Sequence, residues 1–115
     1  MTVTNGRHLI IDLHGCRRMP KMEELYKLFF EVEDLLDMKR LTQPYLVFGA
    51  PHDPGMTGFM IIETSHISIH TFEARKSVAF DAYSCKEFSS KPIVNLLRRT
   101  FKPSSLKQQE AVRRV

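Results

Sequence analysis

An α+β two-layer sandwich, with a mainly antiparallel sheet and two helices on one face, is predicted by three observations. Strand-period stretches follow one another through short turns from Tyr45 to Ser84, and strands so joined pair antiparallel. Two amphipathic stretches, one on either side of that run, each carry a single apolar face at helical spacing. No linker, repeat or low-complexity segment divides residues 1–115, so one domain of packed layers is expected.

The elements follow in order. Arg7 to His14 alternates around an apolar centre and closes at Gly15, which reads as a first strand. Met19-Pro20 interrupts the chain. Lys21 to Arg40 reads as a helix, because Leu25, Leu28, Phe29, Val32, Leu35 and Leu36 recur at three and four residues. Glu23 and Glu24 in its first turn, and Lys39 and Arg40 in its last, suit the helix dipole. Thr42-Gln43-Pro44 ends it, and Tyr45 to Phe48 is a second strand. Gly49 to Gly58 holds three glycines and two prolines and reads as loop.

Gly58 to Glu63 and His66 to Phe72 are the next two strands, and Glu73-Ala74-Arg75-Lys76 is a polar turn. In Ser77 to Ser84, Val78, Phe80 and Ala82 alternate with Ala79, Asp81 and Tyr83, giving another strand. Ser89 or Ser90 is placed to cap a second helix, with Pro92 in its first turn. Ile93, Val94, Leu97 and Phe101 form its apolar face, and Lys102-Pro103 stops it. Gln108 to Val115 is polar and offers a last, edge strand.

Composition narrows the function classes. A chain of 115 residues buries a modest core, to which a partner copy would add. Apolar content of 43% and charge of 26% are those of a soluble globular protein. No apolar run approaches a membrane span, and no charged start precedes an apolar signal core. A cytoplasmic protein without a membrane role is therefore expected. Two cysteines make no disulfide framework. The net charge of +4 divides unevenly, with −5 over residues 23–37 and +5 over residues 98–115. Both read as solvated faces, since no nucleic-acid fingerprint or interleaved aromatic platform accompanies the basic one.

The chemistry concentrates in Glu63-Thr64-Ser65-His66-Ile67-Ser68-Ile69-His70-Thr71-Phe72, where hydroxyls and imidazoles interrupt a strand pattern. They either hydrogen-bond across a sheet or react. On a strand His66 and His70 lie ~13 Å apart, too far for one ion, so no metal is expected from that pair. No Gly-x-Ser-x-Gly elbow surrounds a serine, which leaves out the hydrolase pattern. Cys85 ends a strand beside Lys86, a position that favours reactivity, whereas Cys16 reads as a small buried hydrophobe.

Thr64-Ser65-His66-Ile67-Ser68-Ile69-His70-Thr71-Phe72 resembles the self-processing segment of the short prokaryotic S-adenosylmethionine decarboxylases. Gly6 to Cys16 resembles that family's opening strand, Gly55-Met56-Thr57-Gly58 the turn before the segment, and Asp81-Ala82-Tyr83-Ser84-Cys85 the strand that ends in its catalytic cysteine. The likeness runs in register over about residues 5 to 86. It implies that the chain is a proenzyme split at Thr64–Ser65, with Ser65 becoming a pyruvoyl group that forms a Schiff base with the substrate amine. It assigns His70 as proton acceptor in processing, Thr57 as the hydroxyl that assists it, and Cys85 as proton donor in decarboxylation. Residue Thr64 stands where the family usually has glutamate, but the acyl shift uses its carbonyl. In an unbroken strand Ser65 and His70 face opposite sides, so a bend or bulge near Ser65 is expected.

The resemblance further implies a homodimer whose sites lie between protomers. It implies S-adenosylmethionine as substrate, giving the aminopropyl donor for spermidine. Two features of the adenosine site depart from the family pattern. Phe72 and Glu73-Ala74 stand where Trp and Pro-Glu are usual, so Phe72 can stack on adenine while the ribose carboxylate is displaced by one residue to Glu73 or lost. A second aromatic, usual just before the Gly55 turn, falls near Pro51, with Phe48 a little earlier. Decarboxylation of ornithine or arginine on the same scaffold is therefore a second reading, and an uncleaved, non-catalytic binding or regulatory homologue a third.

Overall fold

The computed structural model describes residues 5–115. Its elements are β1 (Asn5–His14), α1 (Met22–Leu36), β2 (Tyr45–Phe48), β3 (Met56–Ile62), β4 (Ser65–Phe72), β5 (Ser77–Ser84), α2 (Ser90–Phe101) and β6 (Ser105–Arg114). The strands form one antiparallel sheet in the order β2-β3-β4-β5-β1-β6. The expected sandwich is what forms, because the side-chain alternation of each strand sends one apolar row to the same side. Leu9, Ile11 and Leu13 of β1 bury there with Met60 and Ile62 of β3, Ile67 and Ile69 of β4, and Val78 and Phe80 of β5. Leu25, Phe29 and Val32 of α1 and Ile93, Leu97 and Phe101 of α2 complete that core.

Gly58 sits where the first helix meets the sheet. A Cβ there would come within 2.8 Å of the Phe29 ring and 2.4 Å of Leu46, so a glycine lets Phe29 lie flat on β3. Among the described residues the opposite face carries no helix. It presents Tyr45, Val47, Phe59 and Ile61, all exposed.

Element ends differ from the sequence expectation for identifiable reasons. The first helix stops at Leu36 rather than Arg40, and no base lies in its last turn. Asp37 turns left-handed (φ 53°) and its N–H bonds Asp34. The Arg40 backbone N–H (2.9 Å) and guanidinium (3.0 Å) then bond Glu33. That places Arg40 opposite Ile62 beside β3. β3 starts before Gly58, because the Met56 N–H bonds the Thr71 hydroxyl at 2.9 Å. β6 begins at Ser105, where the Ser104 N–H (2.9 Å) and hydroxyl (3.1 Å) hold the His14 carbonyl and start the ladder with β1. Ser89 occupies the N-cap of α2 without a side-chain cap bond. No helix among the described residues is long and apolar enough to cross a membrane.

Candidate active site

β3 and β4 are joined by Glu63-Thr64 alone, since Ile62 pairs with Ser65. Thr64 has φ 49°. A β-branched residue in the left-handed region is strained by roughly 1–2 kcal/mol, and glycine or asparagine usually takes such a position. The strain falls on the residue whose carbonyl precedes Ser65.

Around that peptide the chain gathers polar groups. The Ser65 side chain is buried, and its Oγ accepts the Cys85 backbone N–H at 3.1 Å. The Ser65 hydroxyl points towards the Met38 sulfur at 3.6 Å. The Cys85 thiol has two acceptors for its one proton, the Thr64 carbonyl at 3.4 Å and the Tyr83 hydroxyl at 3.7 Å. Hydrogen bonding to Cys85 pushes the Tyr83 phenol up from its ordinary value. The turn after β5 is tied down by Ser84, whose hydroxyl accepts the Lys86 N–H at 3.0 Å. The Lys86 ammonium reaches the Asp37 carboxylate at 2.6 Å and carbonyl at 2.9 Å, so it serves Asp37 rather than the thiol. That bond holds the Asp37 carboxyl below the usual carboxylate range.

Thr57 and His70 meet elsewhere. They are ladder partners of β3 and β4, and the Thr57 Oγ1 lies 3.0 Å from the His70 Nδ1. Both side chains are exposed on the open face. The bend expected near Ser65 is not formed. β4 pairs without interruption from Ser65 to His70 with β3, and from His66 to Phe72 with β5, so nothing allows it to fold back. His70 therefore stays five residues from Ser65, about 17 Å along the strand, and on the other face. Phe72 and Glu73 share His70's end of β4. The Arg75 guanidinium lies 4.5 Å from the Phe72 ring centroid, and the Glu73 N–H bonds the Pro54 carbonyl at 3.1 Å.

The structure also assembles residues that spacing alone did not connect. Met38 and Tyr83 join the Ser65–Cys85 cluster. Tyr83 was legible as an open-face residue of its strand, two before Cys85; Met38 gave no signal. His66 does not meet His70. It lies beside Asp81 (Nε2 to Oδ1, 3.5 Å), which also faces His8 (3.4 Å).

The Ser65 cluster fits a serine that is to become a pyruvoyl group. The hydroxyl is positioned by an N–H, the carbonyl it would attack faces a thiol, and the peptide between them is strained. His70, the proton acceptor that the resemblance assigns, is not at that end of the strand.

The S-adenosylmethionine decarboxylase family profile matches residues 7–114. An S-adenosylmethionine decarboxylase proenzyme of Clostridium botulinum (strain Loch Maree / Type A3) is 30% identical over 109 residues, covering 90% of this chain and 91% of that protein. The proenzyme of the same name from Archaeoglobus fulgidus is 33% identical over 103 residues, covering 87% and 89%. The fold is similar to the crystal structure of the adenosylmethionine decarboxylase from Aquifex aeolicus VF5. The TM-score is 0.76 at 22% identity, over 94% of this chain and 89% of that one.

Proposed function

The chain belongs to the S-adenosylmethionine decarboxylase family, and on that premise we propose that it cleaves itself at Thr64–Ser65 and then decarboxylates S-adenosylmethionine. The observation that carries this reading is the strained Thr64 peptide, with its carbonyl 3.4 Å from the Cys85 thiol and Ser65 Oγ held by the Cys85 N–H. Ser65 Oγ attacks the Thr64 carbonyl carbon, the Thr64–Ser65 C–N bond breaks, and an ester replaces the amide. The left-handed Thr64 gives up its strain in that step, and the thiol stabilises charge on the carbonyl oxygen. Removal of the Ser65 α-proton expels the Thr64 carboxylate, and hydrolysis of the resulting dehydroalanine releases ammonia. The pyruvoyl group then present supplies a carbonyl that condenses with the substrate amine and takes up the electrons left by departing carbon dioxide. Cys85, beside that position, returns a proton to the substrate carbon.

His70 is the base this sequence needs, yet it stands at the far end of β4. A second copy would supply a His70 at the Ser65 end. Two open faces stacked about a twofold axis across β4 set the His70 end of one strand against the Ser65 end of the other. Such stacking would also cover the exposed Tyr45, Phe59 and Ile61. Thr57 holds His70 through its Nδ1. Phe72 and Glu73 come with His70, offering a ring face to adenine and a carboxylate to ribose. The product would serve as the aminopropyl donor for spermidine.

Mass spectrometry of the purified protein after incubation tests the reading. Two fragments divided at Thr64–Ser65 are expected, with Ser65→Ala remaining one chain. An intact chain that releases no carbon dioxide from S-adenosylmethionine would overturn it.

A further inference from the structure

The open face holds a second cluster that neither cleavage nor decarboxylation uses. On β4, β5 and β1 the residues His66, Tyr83 and His8 stand in one row of the ladder. Asp81 lies two residues before Tyr83 on the same face, so its carboxylate reaches back between the two imidazoles. The Asp81 Oδ1 is 3.4 Å from His8 Nε2 and 3.5 Å from His66 Nε2. All three donor atoms lie within 4.8 Å of one another.

These are poor hydrogen bonds. They are longer than the usual 2.7–3.2 Å for N–H···O. His8 Nε2 and Asp81 Oδ1 are both buried, and neither has a hydrogen-bond partner. Two buried polar atoms left unmatched cost about 1–3 kcal/mol each unless something else satisfies them. The two separations from Asp81 do suit metal coordination. Bonds of ~2.0–2.1 Å to a tetrahedral cation place neighbouring donors about 3.3–3.4 Å apart.

The imidazoles are also held in place. Phe59 stacks on His66 with centroids 5.3 Å apart, and Tyr83 stacks on the same imidazole at 5.9 Å. Tyr83 meets the His8 ring edge-on at 5.9 Å. Rings locked by packing lose little freedom when they ligate.

We propose that His8, His66 and Asp81 bind one zinc-class divalent cation on the open face. Two neutral imidazoles and one carboxylate favour zinc, cobalt or nickel over magnesium or calcium, which prefer oxygen donors alone. The cation ties β1, β4 and β5 together. It requires neither Ser65 nor the decarboxylase reading.

The test adds Zn2+ alone to the full chain after chelator treatment and follows binding by equilibrium dialysis and by imidazole nitrogen NMR. One Zn2+ per chain is expected, with a rise in melting temperature. In the unaltered protein the His8 and His66 Nε2 resonances move, while those of His14 and His52 do not. Asp81→Asn and His8→Gln each lose affinity by more than the ~10–100-fold that removal of an outer partner of a ligand costs, and His14→Gln keeps it. The NMR readout needs no variant to fold. Absence of bound Zn2+, or shifts at histidines other than His8 and His66, overturns the proposal, as does undiminished binding in both site variants.

Discussion

The two ends of β4 are made of similar residues and do opposite things. At one end Ser65 is buried under Cys85 and Met38, next to a strained peptide whose carbonyl faces a thiol. At the other, His70 is exposed, bonded to Thr57, and surrounded by ordinary ladder geometry. The first end has the serine and the strained peptide but not His70. The second has a base and a hydroxyl but no bond to break. On the proposed reading, each end of the strand holds half of a site that a second copy completes. A continuous ladder keeps the halves apart, and the proposed dimer is what would bring them together.

Replacing the thiol separates the two duties of the Ser65 end. In Cys85→Ala the backbone N–H still positions Ser65, so cleavage continues, slower by about fivefold for the loss of ~1 kcal/mol from one neutral hydrogen bond. Decarboxylation by the cleaved protein falls by about 10²–10⁴-fold, because no group remains to return the proton. Fragment analysis and carbon dioxide release measure the two. Undiminished decarboxylation by the cleaved variant would mean that Cys85 acts only in processing.

A smaller effect probes the strain. Thr64→Gly suits the left-handed turn, so in a Ser65→Ala background, where no cleavage intervenes, it raises stability by roughly 1 kcal/mol in urea unfolding. With Ser65 present, cleavage slows by a similar free energy. Unchanged stability would show that the turn at this end stores nothing that the other end lacks.

The smallest effect concerns the exposed tie between Asp37 and Lys86, which anchors the turn carrying Cys85. Lys86 lowers the Asp37 carboxyl in the folded state. The contribution is therefore complete above the unfolded value of ~3.9 and disappears as pH falls through the lower folded value. Acid unfolding of Asp37→Asn should match the parent at the bottom of that window and be slightly less stable above it. A difference that grows on acidification would reverse the sign of the account.

The sheet and both helices were legible in the sequence because each strand's two-residue period and each helix's apolar face point to a common core. Ser77 to Ser84 and Tyr45 to Phe48 were bounded correctly, since turn residues flank both. The end of α1 was not legible. Lys39 and Arg40 look like a basic last turn, but Glu33 draws Arg40 to the sheet edge, a contact set by tertiary position. In the site, the Thr57–His70 and Ser65–Cys85 pairs followed from a motif likeness, whereas the distance between the pairs depended on whether β4 bends. No residue type within β4 announces that it stays straight. Asp81 and His8 were visible as open-face positions, but only strand register brings them to His66.

Co-expression of Ser65→Ala and His70→Ala chains, distinguished by mass, tests the central claim most directly. Each variant alone stays uncleaved or nearly so. In a mixed dimer the His70→Ala chain keeps Ser65, and its partner supplies His70, so that chain is expected to split at Thr64–Ser65 while the Ser65→Ala chain stays whole. A His70→Ala chain that remains intact in stable mixed dimers would contradict a site shared between two copies.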